Sequence, residues 1–121
     1  MKTDVERKQI IDAVKFDGGI VEVILRDATT LEIFSRKFMN IEALEKTLET
    51  GLVFLWSRTR NNLWLVGEFS GNTMRVISAR LNCDRDCLLL QVSFQGKSFC
   101  YKLDENGKAE RTCFNKLLFE A

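Results

Sequence analysis

The sequence predicts an α+β fold, a twisted and mostly antiparallel β-sheet with one well-marked helix over residues 40–50 and a short N-terminal helix. Three observations carry that expectation. Runs rich in β-branched and aromatic residues recur along the chain, separated by pairs such as Gly18-Gly19, Asn61-Asn62 and Ser70-Gly71. One stretch, Asn40 to Thr50, combines a capping side chain, helical spacing and a glycine immediately after it. The 121 residues can bury one hydrophobic core but not two, so residues 1–121 are expected to form a single domain.

Taken in order, the first dozen residues read as a short helix, with Val5, Gln9, Ile10 and Ala13 loosely periodic. Asp17-Gly18-Gly19 is a turn, and Ile20–Leu25 and Leu31–Phe38 are strands flanking a turn around Asp27–Thr30. Asn40 caps the next helix, Ile41, Leu44 and Leu48 fall on one face, and Gly51 supplies the left-handed residue that ends it. From there the pattern is β: Leu52–Arg58, Asn62–Glu68, Met74–Leu81, Cys87–Phe94 and Ser98–Leu103. The Asn-Gly pair inside Asp104–Gly107 predicts a hairpin that folds Ser98–Leu103 against Ala109–Phe114.

Composition removes several function classes. With 18 basic and 17 acidic residues the formal charge is +1, which gives no general field for nucleic acid or an anionic membrane. The sequence contains no histidine, so Ser-His-Asp and Cys-His arrangements and histidine-ligated metal sites are excluded. Acid–base chemistry must use Asp, Glu, Tyr, Lys, Cys or a metal-bound water. The N-terminal residues lack the pattern of a signal peptide, and apolar runs such as Leu52–Trp56 are too short to span a bilayer. A cytoplasmic location is expected, where the four cysteines are free thiols or metal ligands rather than disulfides.

Three groups of residues could carry chemistry. Asp84 and Asp86, two apart after Asn82-Cys83, face one side if the chain is extended, and paired carboxylates suit Mg²⁺. The alternative is a polar turn between strands, for which aspartate is also favoured. Cys83, Cys100 and Cys113 could hold zinc with one position open for water, or could be small buried hydrophobes; Cys87 reads as core. Ser57-Arg58-Thr59-Arg60 offers guanidinium forks and hydroxyls to phosphate, or is a solvated loop. Gly67-Glu68-Phe69-Ser70-Gly71-Asn72 joins one carboxylate to a hydroxyl-bearing turn.

In combination these segments are more specific. Met39-Asn40, Glu42-Ala43-Leu44, Thr47–Gly51, Ser57–Arg60, Leu63-Trp64, Gly67-Glu68, Ser70–Asn72, Cys83-Asp84 and Asp86, in that order, resemble phosphoribosyl-AMP cyclohydrolase of histidine biosynthesis. The resemblance covers roughly Gly19 to Phe114. It implies a homodimer whose zinc sites combine Cys83 of one chain with Cys100 and Cys113 of the other, a zinc-bound water being the nucleophile. That nucleophile would attack C6 of the purine and open the N1–C6 bond. It implies Mg²⁺ at the acidic run, here Asp84 and Asp86 with Asn82 where the family has a first aspartate. Arg58, Thr59, Arg60, Trp64, Glu68, Ser70 and Gly71 would bind the substrate, a purine nucleotide. The chain departs from the family at Tyr101-Lys102-Leu103, where histidine, threonine and glycine follow the second cysteine, and at Val66 and Phe69, which replace a lysine and a threonine. Two further readings follow from those departures: a paralogue acting on another purine nucleotide, and a non-catalytic dimer that binds a nucleotide or a partner.

Overall fold

The structure is a computed structural model that describes residues 2–94 and 112–121. Its elements are α1 (Asp4–Ala13), β1 (Ile20–Asp27), β2 (Ile33–Asn40), α2 (Ile41–Thr50), β3 (Phe54–Ser57), β4 (Asn62–Leu65), β5 (Met74–Leu81) and β6 (Cys87–Phe94). The α+β expectation holds, and Met74–Leu81 and Cys87–Phe94 have the bounds read from the sequence.

Among the described residues the strands form two sheets rather than one. A four-stranded sheet has the order β2-β1-β6-β5, and β3 and β4 make a separate pair. Contacts are antiparallel except between β1 and β6, which run parallel because the whole β2–β5 segment intervenes between them. The β3–β4 pair stays apart because Thr47 of α2 takes β3's free edge. Its hydroxyl accepts from the Phe54 N–H at 2.9 Å and donates to the Phe54 carbonyl at 3.3 Å. The chain just before β3 instead borders β5, with Val53 N–H donating to the Met74 carbonyl at 2.9 Å.

Residues 33–40, not 31–38, form the second strand. Asp27 explains the shift: its carboxylate accepts from the backbone and hydroxyl of Thr30, and its carbonyl accepts from Leu31. That closed turn puts Leu31 in the left-handed region at φ 65°, so the strand starts later. Of the expected hairpin, Ser98–Leu103 and the Asp104–Gly107 turn lie outside the described residues, and residues 112–114 are not in a strand.

Burial alternates along β1, with Val21, Val23 and Leu25 inward, and along β6, with Leu88, Leu90 and Val92 inward. Phe34, Met39, Val53, Leu55, Val66 and Met74 join them, so one core lies between the large sheet, α2 and the β3–β4 pair. Asn40 caps α2 by accepting from the Ala43 N–H at 2.8 Å, and Gly51 ends it at φ 80°. The buried face is Ala43, Leu44 and Thr47, with Leu48 half-buried. Ile41, expected on that face, is 49% exposed: at the first helical position its side chain leans back past the helix end. Helix α1 is closed by a reciprocal Thr3–Glu6 capping box but buries none of its own side chains.

Candidate functional site

The β3–β4 hairpin, the loop after β4 and the facing strand β2 enclose a cavity of about 660 Å³. The hairpin turn is built by short polar side chains. Ser57 Oγ accepts from the Arg60 N–H at 3.2 Å and lies 3.4 Å from Thr59 Oγ1, while Asn61 takes the left-handed conformation at φ 55° and its N–H donates to the Ser57 carbonyl. This presents Ser57, Arg60 and Asn62 to the cavity. Arg58, one turn position away, lies with its guanidinium 3.8 Å from the centre of the Phe38 ring and does not line it.

The loop after β4 is anchored by buried Val66 and folded tightly. Glu68 N–H donates to the Leu65 carbonyl at 3.2 Å, and Gly71 N–H donates to the Gly67 carbonyl at 2.8 Å. Gly67 has φ 81°, and a Cβ there would lie 2.2 Å from the carbonyl oxygen of Asn72, so the backbone demands glycine on both counts. The fold of this loop puts Glu68, Phe69 and Ser70 on the cavity wall, while Gly71 closes the loop without lining it. Trp64 supplies an aromatic surface, with Lys37 Nζ 5.8 Å from its ring centre.

Of the residues expected to bind substrate, Arg60, Trp64, Glu68 and Ser70 therefore share one cavity, whereas Arg58, Thr59 and Gly71 sit beside it. Of the two departures Val66 and Phe69, Phe69 lines the cavity whereas Val66 is buried in the core; Lys37 and Asn62 line it without having been expected there. Phe69 had a signal in the sequence, since it sits inside the Gly-Glu…Ser-Gly run and is 96% exposed. Lys37 had none, because its place depends on how β2 packs against the small sheet.

The β5–β6 turn is held by Asn82. Its Oδ1 accepts from the backbone N–H groups of Asp86 and Cys87, both at 2.9 Å, and its Nδ2 donates to Asp86 Oδ1 at 2.7 Å. Arg85 completes the turn at φ 62°. An aspartate at 82 could accept the two backbone donors but would repel Asp86, which an asparagine instead binds.

Cys83 and Cys113 are free and exposed. They lie towards opposite ends of the sheet. Cys83 precedes Cys87, which is level with Glu22, whereas Cys113 N–H donates to the Phe34 carbonyl at 2.7 Å, near the Arg26–Gln91 level. Four residues of strand and two strand spacings separate those levels, about 13 Å along the sheet and about 10 Å across it. Sulfurs sharing a zinc ion lie only about 4 Å apart. Among the described residues no group of three His, Cys, Asp or Glu side chains is placed to hold a metal, and Cys100 and Tyr101 lie outside them. Cys87 is half-buried rather than core, with Sγ 3.8 Å from Glu22 Oε1. Burial first, then the charges of Glu22 and Asp86, raise its pKa. No helix among the described residues is long and apolar enough to cross a membrane.

A family model for phosphoribosyl-AMP cyclohydrolase matches residues 36–115. Curated relatives of that name include one from Dinoroseobacter shibae, 43% identical over 81% of this chain and 76% of its own. Another, from Methanococcoides burtonii, is 45% identical over 71% of this chain and 72% of its own. One from Neisseria meningitidis is 39% identical over 91% of this chain and 80% of its own.

Proposed function

Because the chain belongs to the phosphoribosyl-AMP cyclohydrolase family, we propose that it is a zinc-dependent hydrolase that opens the N1–C6 bond of the purine ring of phosphoribosyl-AMP. The observation that carries this reading is the single cavity in which Arg60, Trp64, Glu68 and Ser70, drawn from separate sequence motifs, face one another.

Each residue has work suited to its chemistry. Arg60 and the Ser57 and Ser70 hydroxyls bind phosphate oxygens. The half-buried ring of Trp64 stacks on the base, and Glu68 accepts a hydrogen bond from a ribose hydroxyl or base N–H. Water adds at C6, the N1–C6 bond breaks, and N1 takes up the proton as C6 becomes a carboxamide carbon.

The donor set fits zinc. Cys83 and Cys113 are exposed free thiols, soft ligands of the right kind, and their separation on the sheet is what a site shared between two chains would have. Cys83 of one chain, with Cys100 and Cys113 of a second, would hold it in a homodimer. Zinc bound there supplies Lewis acidity at neutral pH to a chain that has no histidine base. Magnesium fits less well: Asn82 already satisfies Asp86, so the acidic turn is held without a cation, and no step is assigned to one.

A second reading, action on another purine nucleotide, is favoured by Phe69, an aromatic ring 96% exposed at the cavity wall. Ultraviolet absorbance during incubation with phosphoribosyl-AMP, zinc and magnesium tests the first reading. Ring opening is expected. Its absence in folded, zinc-loaded protein would leave the other nucleotide or a binding role.

A further inference from the structure

We infer that Lys37 is a phosphate-binding residue of this site, pairing with Arg60 to hold a phosphate of the nucleotide. The inference deepens the cyclohydrolase reading and takes the class of ligand from it.

The position of Lys37 is unusual for a lysine. In the β1–β2 ladder Val21 pairs with Met39, Val23 with Lys37 and Leu25 with Ser35. Side chains directly opposite each other share a face of the sheet, so Lys37 stands on the core face. Val21, Val23, Leu25, Ser35 and Met39 are all 2% exposed or less, and Lys37 sits among them, half-buried. A lysine there must run its apolar stem along its neighbours and bring the ammonium out to water or to an anion. The route leads across the Trp64 ring into the cavity, whose wall Lys37 shares with Arg60 and Ser57. Arg58, the other cation of the hairpin turn, lies over Phe38 outside the cavity, so Lys37 and Arg60 are the cations on its wall among the described residues. The compact ammonium of Lys37 complements the guanidinium fork of Arg60: one is a point charge, the other a planar two-donor grip.

The test is calorimetry of the full chain, and of its Lys37→Met and Lys37→Arg variants, with AMP and adenosine as probes. Lys37→Met is expected to cut the preference for AMP over adenosine about ten- to a hundredfold, the value of one charged hydrogen bond. Adenosine affinity is expected to be unchanged, and Lys37→Arg to keep most of the preference. An AMP-to-adenosine ratio unaltered by Lys37→Met would overturn the inference, as would an unaltered chain with no preference for AMP. Turnover of phosphoribosyl-AMP reports separately on the parent reading. A chain that prefers AMP through Lys37 but opens no ring loses the reaction and keeps this role. A chain that opens the ring, with KM and binding ratio unmoved by Lys37→Met, keeps the reaction and loses the role.

Discussion

Replacing Gly67 and Gly71 in turn by alanine separates two reasons for a glycine within one loop. Both have nearly the same left-handed backbone, φ 81° and 79°, so alanine meets a similar conformational penalty at each, about 1–2 kcal/mol. Their surroundings differ. Nothing lies within 4 Å of a Cβ built at Gly71, whereas one at Gly67 would lie 2.2 Å from the Asn72 carbonyl oxygen, 2.3 Å from its carbon and 2.7 Å from the Thr73 nitrogen. These are backbone atoms and cannot rotate away. Relief to ordinary contact requires a shift of about 1 Å, which breaks up the Gly71 N–H to Gly67 carbonyl bond at a further cost of about 1 kcal/mol. We expect Gly71→Ala to lose about 1–2 kcal/mol and Gly67→Ala about 2–3 kcal/mol in urea unfolding at equal protein concentration. Gly67→Ala also moves Glu68 and Ser70, so it should weaken AMP binding while Gly71→Ala largely spares it. Equal losses of stability in the two variants would refute the close-approach argument.

Two further outcomes follow from polar contacts. Thr47→Val keeps the side-chain shape but removes the hydroxyl that joins α2 to the Phe54 backbone; a loss of about 1–3 kcal/mol is expected, with Thr47→Ser recovering most of it, both read by thermal unfolding. Asn82→Asp replaces the donor to Asp86 by a like charge, so stability should fall by about 1–2 kcal/mol without divalent cation and rise again with millimolar Mg²⁺. A variant whose melting temperature ignores magnesium would contradict that account of the turn.

The parts of the fold written in local chemistry were legible in the sequence. Asn40 and Gly51 bound α2 as expected, and β5 and β6 match their apolar runs, because caps, turn residues and alternation act over a few neighbouring residues. What depended on distant partners was not. The second sheet exists because Thr47 occupies β3's edge, and the parallel β1–β6 pair reflects the path of the intervening chain; neither leaves a local mark. The start of β2 falls two residues after its apolar run begins because the Asp27–Thr30 side-chain bonds extend the turn through Leu31. At the candidate site, the motif residues Arg60, Trp64, Glu68 and Ser70 line one cavity, but Arg58 turns to Phe38 and Lys37 enters from β2 ahead of the Met39-Asn40 motif. Its inward face becomes visible only once the pairing of Val23 with Lys37 is known, since a one-residue slip would turn it outward.

The claim that two chains build one zinc site is tested most directly by mixing inactive variants. Cys83→Ser and Cys100→Ser chains, each expected to be folded and inactive alone, are unfolded together, refolded with zinc and assayed for ring opening of phosphoribosyl-AMP. If the cysteines come from both chains, half of the random dimers are mixed, and each mixed dimer holds one intact site of two; activity should return to about a quarter of that of the unaltered protein. A mixture that stays as inactive as its folded components, beside an active unaltered control, would contradict the shared site.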